Sequence, residues 1–210
     1  MPAWEKIFEE KGHVFVDPHS DMARLATIFR AEEVNRILDV GCGTGRHLVY
    51  FSRAGFEMCG FDSSKVALDL ATKWLKEEEL DADTCLSRME ESFPYLDAFF
   101  DAVISIQVIH HNLMQDILST IREVERVLKI GGYLFITVPI LGPKPENPED
   151  DWKLHQVEDG TFVPQSGPES GIPHHYFTEE ELHEVFRNFN ILEMYIDDTN
   201  HRCVLAIREF

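Results

Sequence analysis

With 210 residues, 44% of them hydrophobic, the chain is long enough for one well-buried core and short for two. Nineteen Lys and Arg against 38 Asp and Glu give a net charge of −19, which repels phosphate backbones and anionic lipid and disfavours nucleic acid as a partner. The four cysteines form no C-x-x-C pair and read as reduced small hydrophobes of a cytoplasmic protein, while the longest apolar stretch, Tyr133 to Leu141, falls far short of the ~20 residues that span a bilayer.

The first segment carries acids where a signal peptide needs basic residues before an apolar core, so a soluble protein without export is expected. Trp4, Ile7 and Phe8 share one face of a short amphipathic helix stopped at Gly12, and residues 1–20 read as a flap over the ligand site. Met22, Leu25, Ile28 and Phe29 repeat that spacing in a second helix. Alternation of element types then begins. "RILDV" reads as a buried strand, "GRHLVYFSRAG" as a helix closed by Gly55, "FEMCGFD" as a strand and "SSKVALDLATKWLKEEE" as a helix. "ADTCLS" is a weaker strand, whereas "FFDAVISIQ" and "GGYLFITVP" are strong ones, separated by a helix over "MQDILSTIREVERVL" that the following glycines are expected to stop. Strands joined by helical crossovers imply a doubly wound, mostly parallel α/β sheet of Rossmann-like type. The last two runs, "NILEMYIDD" and "RCVLAIREF", are linked by three residues only, so a seven-stranded sheet should end in an antiparallel hairpin. Thr178 opens the helix before them, with Glu181 as its capping-box partner.

Residues 140–175 hold six of the ten prolines and four of the twelve glycines. They are expected to be neither helix nor regular strand, and to form a lid at the carboxyl ends of the strands within a single domain of 210 residues. Glu146, Glu149, Asp150, Asp151, Glu158 and Asp159, against Lys144 and Lys153, would give that mouth an acidic character favouring neutral or cationic substrates.

The chemistry gathers at "RILDVGCGTGRH". A strand ending in Asp39, then Gly41, Gly43 and Gly45, then a helix, makes a tight turn at the edge of the sheet where a ligand can touch bare backbone and a helix N-terminus. The dinucleotide fingerprint G-x-G-x-x-G would need glycine where Arg46 stands, which argues against NAD. Asp62, at the end of the second strand, can accept both ribose hydroxyls of an adenosine, or else serve with Ser63 and Ser64 as a helix cap.

Taken in order, "ILDVGCGTG", "GFDSS", "FDAVISIQVIHH", "REVERVLKIGGYLFITVP" and "HHYFTEEEL" resemble the class I S-adenosylmethionine-dependent methyltransferases, in particular the type 11 small-molecule branch, over roughly residues 34 to 189. That resemblance implies S-adenosyl-L-methionine as cofactor and transfer of its methyl group to a small-molecule O, N or S nucleophile. It places Asp39 and the Gly41, Gly43 and Gly45 turn at the cofactor's aminoacid end, Asp62 at the ribose, Ser63, Met89 and Glu90 around the adenine, and Gln107 near the methionine portion. Arg88 stands where the family usually has an aspartate for the adenine amino group. The same "ISIQVIHH" also resembles tRNA wobble-uridine methyltransferases, but the arginine-rich stretch of that group is missing downstream. A non-catalytic methyltransferase-like binding subunit is the third reading.

An in-line displacement at a sulfonium needs alignment and exclusion of water more than it needs a metal. Where the acceptor carries a proton, His110 and His111, after the fourth strand, are the candidate bases, with structural capping of the strand as the rival role. Trp4, His174, His175 and Tyr176 are candidates for the substrate side, with a packing role at the entry of the Thr178 helix as the alternative for the last three. No metal site is expected: adjacent histidines rarely point the same way, and neither H-x-x-x-H nor E-x-x-H occurs.

Overall fold

The computed structural model describes residues 3–142 and 152–210. Helices α1 (Ala3–Lys11) and α2 (Met22–Ala31) precede β1 (Arg36–Val40), α3 (Arg46–Arg53), β2 (Glu57–Asp62), α4 (Lys65–Glu77), β3 (Asp83–Leu86), β4 (Phe100–Ile106), α5 (Met114–Val127) and β5 (Leu128–Pro139). After β5 come β6 (Leu154–Glu158), β7 (Thr161–Pro164), β8 (His174–His175), α6 (Glu179–Val185), β9 (Phe189–Ile196) and β10 (His201–Arg208).

Seven strands form one sheet in the order β3-β2-β1-β4-β5-β10-β9. The first five run parallel, and β10 pairs antiparallel with both β5 and β9, so the terminal hairpin closes the sheet as expected. The central strands are buried on both faces, which is why they read as continuous apolar runs. Alternation sorts their side chains. Leu38, Val40, Val103, Leu134 and Ile136 pack on one side with Ile117, Ile121 and Val124 of α5. Ile37, Ile104 and Phe135 pack on the other with α2, α3 and α4 through Phe29, Phe51 and Leu68. Asp39 shares the parity of Ile37, so it belongs to the side covered by α3.

Two expectations change. Helix α5 passes straight into β5 at Leu128, which already has an extended ψ of 136°. The glycine pair lies inside the strand: pairing jumps from Phe100↔Leu128 to Ala102↔Tyr133, and Gly131 at φ 79° makes the resulting bulge. The second change concerns the lid, where β6, β7 and β8 form a separate antiparallel sheet. Glu158 pairs with Thr161 around Asp159-Gly160, a two-residue hairpin turn with Gly160 at φ 71°. Of the acidic mouth, Lys144, Glu146, Glu149, Asp150 and Asp151 lie outside the described residues. Glu158 accepts the Met114 N–H (2.6 Å) and so caps α5, whose own N-cap residue, Leu113, offers no side-chain acceptor.

Among the described residues, no helix is long and apolar enough to cross a membrane. All four cysteines are unpaired, with Cys42, Cys59 and Cys203 buried.

Candidate functional site

The strand order reverses between β1 and β4, and a cavity of about 540 Å³ opens at the carboxyl ends of these strands. One of its walls is the turn after β1. Gly41 and Cys42 both donate their N–H groups to the Phe61 carbonyl (3.0 and 2.9 Å), tying the turn to β2. Gly43, at φ 52°, donates its N–H to Asp62 Oδ2 at 2.9 Å, and Asp62 Oδ1 accepts from Ser64 N–H at 2.8 Å. Each carboxylate oxygen therefore keeps acceptor capacity for a ligand in the cavity it lines. Burial, opposed by these backbone bonds, raises the Asp62 pKa. The cap of α4 is Ser64, whose Oγ accepts from Ala67 N–H (3.1 Å), so Asp62 is left for the cavity.

The glycines differ in what they make room for. A Cβ on Gly43 would meet nothing nearer than Phe8 Cζ at 3.7 Å, and Gly43 borders the cavity. On Gly41 it would lie 2.4 Å from Val108 Cγ1. On Gly45 it would lie 2.8 Å from Ala71 Cβ, so that glycine, at φ 91° before α3, serves the packing of α3 against α4 and lies outside the cavity wall. Asp39 also stands behind the wall. It is 1% exposed, its Oδ2 has no hydrogen-bond partner among the described residues, and His47 Nδ1 lies 3.8 Å from that oxygen. Burial pushes its pKa up to about 7 despite the nearby Arg46. What reaches the cavity here is Arg46, whose Nη1 donates to the Asp17 carbonyl (3.2 Å) and whose guanidinium lies over the Phe15 ring. In the sequence Arg46 marked only a missing glycine, and its position one residue past the turn was the available signal.

Ser63, Met89 and Glu90 border the cavity beside Asp62. Arg88 pairs with Glu90, so the residue that departs from the family pattern neutralises the acid next to it. Met89 is anchored through its carbonyl, which accepts from Thr120 Oγ1 at 2.9 Å. Gln107, just after β4, has φ 59° and is held there by its N–H to Thr137 Oγ1 (3.0 Å), an uncommon backbone for a non-glycine residue that turns the chain into the cavity.

The opposite wall is aromatic and basic. His110 and His111 follow in the turn between β4 and α5, with ring centroids 3.9 Å apart. Strand alternation does not hold in a turn, which is how two neighbours face the same space, against the sequence-based expectation. Burial, then the neighbouring histidines, lower both pKa values well below the ordinary range, so both imidazoles are neutral near pH 7. His174 comes from the lid sheet, 4.7 Å from His111 between centroids, with Nδ1 on the Ile172 carbonyl (2.9 Å) and Nε2 on Glu169 (2.6 Å). Trp4 of α1 tilts over His111 at 5.2 Å, and Tyr176 completes this side. Phe8 and Phe15 also border the cavity, whereas His13 packs edge-on to Trp74.

His175 does not join them. It is fully buried in the lid, pairs through Nδ1 with Thr161 Oγ1 (2.8 Å), and packs on Phe177. Its contribution is through the backbone: its N–H donates to the His110 carbonyl (2.9 Å) and docks the lid on the histidine turn. Sequence reasoning also missed Glu169 and Trp152, which reach the cavity only because the lid folds back, and no local pattern marks them. Glu158, Asp159 and Lys153 do not border the cavity.

Comparison with known proteins supplies the remaining observations. Residues 38–136 match a family described as a methyltransferase domain. An uncharacterized methyltransferase, YcgJ of Bacillus subtilis, is 26% identical over 162 residues, covering 77% of this chain and 60% of that protein. A ubiquinone biosynthesis O-methyltransferase of Alkalilimnicola ehrlichii is 33% identical over 112 residues, covering 53% and 44%. The chain spans about half the length of the curated relatives it matches. Among solved structures, a SAM-dependent methyltransferase from Methanosarcina mazei superposes with a TM-score of 0.74 at 22% identity, over 92% of this chain and 99% of the other.

Proposed function

The chain carries a methyltransferase domain of the class I S-adenosylmethionine-dependent family, and from that premise we propose that it transfers the methyl group of S-adenosyl-L-methionine to an O, N or S nucleophile of a small molecule. One observation carries this reading. A single cavity runs from the glycine turn and Asp62 to the histidine wall, so a donor held at one end faces an acceptor held at the other.

The residues present fit the cofactor. Asp62 keeps a free lone pair on each oxygen for the two ribose hydroxyls, and the space over Gly43 is clear. Arg46, next to the N-terminus of α3, suits the carboxylate of the aminoacid end. Ser63, Met89 and Glu90 would border the adenine, and Gln107 the methionine portion. Asp39, Gly45 and His175 support these walls from behind.

The bound cofactor supplies an activated methyl group on a sulfonium. The chain's own work is alignment and exclusion of water. Trp4, Tyr176 and the lid sheet cover the acceptor end, and His110 or His111 offers a neutral ring nitrogen to the acceptor's proton, a base weakened by burial. The aromatic and imidazole lining suits a flat or partly apolar acceptor.

Calorimetric titration with S-adenosylmethionine, S-adenosylhomocysteine and NAD is the test, followed by a screen of hydroxyl, amine and thiol acceptors. One-site binding of both adenosyl compounds with NAD silent is expected. Silence of both adenosyl compounds would retire the reading in favour of a binding subunit.

A further inference from the structure

We propose that His110, His111 and His174, with the Glu169 carboxylate beside them, form a binding site for one divalent first-row transition-metal ion of the zinc class. The three histidines each offer a ring nitrogen within 4.8 Å of the other two. Tetrahedral ligands about 2.0–2.1 Å from zinc stand roughly 3.3 Å apart, so the rings need to close by no more than about 1.5 Å. All four side chains border the same cavity, so an ion has a route in and an exposed side once seated.

Two features of this cluster suit a cation. His110 is 3% exposed, and its Nδ1 has no hydrogen-bond partner among the described residues. His174 faces an acceptor on each ring nitrogen, the Ile172 carbonyl on Nδ1 and Glu169 Oε2 on Nε2. A neutral imidazole carries a single N–H and can serve only one of these two acceptors, whereas a metal ion between Nε2 and the carboxylate would bind both. Nδ1 then keeps its N–H on the Ile172 carbonyl, the outer contact that orients many metal-bound histidines, and Nε2 and Glu169 become ligands. His111 Nε2 lies 3.9 Å from the same Glu169 oxygen.

A second group of possible ligands, His19, Asp197 and Cys203, lacks these features. Asp197 Oδ1 there already accepts from Thr199 and His201 N–H groups, Oδ2 pairs with His19 at 2.9 Å, and none of the three side chains borders the cavity described above.

Three imidazoles and a carboxylate leave zinc able to accept a further ligand from the cavity side, and an acceptor's hydroxyl or thiol is the group that would arrive there. In that state His110 and His111 hold the ion, and coordination acidifies the acceptor in their stead. The site itself rests on the cavity geometry and does not depend on methyl transfer.

The test uses the full chain, freed of metal with a chelator and desalted, then titrated with cobalt(II) by visible absorption and with zinc(II) by calorimetry. One equivalent is expected to bind, with the intense visible bands of four- or five-coordinate cobalt. His111→Gln and His174→Gln should each weaken binding at least tenfold, Glu169→Gln less, and His183→Gln, at an exposed position of α6, not at all. Weak six-coordinate bands with the wild-type chain, or equal loss in His183→Gln, would overturn the proposal. Melting temperature and S-adenosylhomocysteine binding, taken on each variant, separate loss of the site from loss of the fold; should a histidine variant unfold, the wild-type cobalt spectrum and Glu169→Gln decide. Cobalt binding without S-adenosylhomocysteine binding keeps this site and retires the methyltransferase reading.

Discussion

At one end of the cavity, the contiguous stretch Arg36 to Ser64 supplies the glycine turn, Arg46 and Asp62 from two paired strands and the helix between them. At the other end, His110 and His111 meet His174 of a separate small sheet, Glu169 and Tyr176 from the segments before and after its strand β8, and Trp4 from α1. The first end inherits the rigidity of the main sheet. The second depends on how the lid docks, through the His175 N–H on the His110 carbonyl and Glu158 on the Met114 N–H. Damage at the first end should therefore remove cofactor binding, and damage at the second should change turnover or metal binding while the cofactor still binds.

Asp62→Ala gives the largest expected effect. On the proposed function it removes the acceptor of both ribose hydroxyls, and S-adenosylhomocysteine affinity should fall on the order of 100-fold or more in a calorimetric titration. Its cobalt titration should match wild type. If both were lost, the two ends would be one cooperative unit and the contrast between them would fail.

Gly41→Ala comes next and breaks the first end through the fold. The new Cβ would sit 2.4 Å from Val108 Cγ1 on a backbone at φ 72°. A stability loss of about 2–4 kcal/mol in denaturant unfolding is expected. Adding Val108→Ala should return the steric part and leave the backbone part. Val108 lies between Gln107 and the histidines, so this pair also measures how tightly the glycine turn is coupled to the opposite wall.

Asp39→Asn isolates the group behind the first wall. The folded-state pKa of Asp39 is raised by burial to about 7, above its unfolded value, so wild type loses stability as pH rises through that interval and levels off above it. Asparagine has no such loss. Relative to wild type, the variant should gain roughly 2 kcal/mol between about pH 5.5 and about pH 7.5 by chemical denaturation. A flat difference would mean that Asp39 is ionised throughout, in partnership with His47.

The contrast also explains what the sequence could convey. The cofactor end follows from local rules: alternation along β1 and β2, a glycine turn and a helix start, all within one stretch of chain. Even there, the family resemblance places Asp39 at the ligand, whereas its parity with Ile37 turns it beneath α3. The acceptor end needs contacts between residues far apart in sequence. Nothing near Glu169 or Trp152 announces that they line a cavity, and the convergence of His110 with His111 arises from a turn whose shape Gln107 sets at φ 59°. The lid sheet was more legible than the proline count implied. Asp159-Gly160 is a two-residue hairpin-turn signal between Leu154–Glu158 and Thr161–Pro164, although the composition of the segment points to irregular structure.

The smallest expected effect tests whether the two ends are separable at all. Thr178 accepts the Glu181 N–H on Oγ1 (3.1 Å), and Glu181 returns a bond to the Thr178 N–H (2.8 Å), opening α6 directly after the lid strand β8. Thr178→Ala removes one half of this box and should cost about 1 kcal/mol, a few degrees in melting temperature. Helix α6 buries Leu182 against the sheet core, so fraying at its start loosens the lid's attachment without reaching Asp62. S-adenosylhomocysteine affinity should stay at the wild-type value while zinc affinity falls slightly. A fall in cofactor affinity instead would mean that lid docking is felt across the whole cavity, and that the cofactor end is less independent than its contiguous sequence implies.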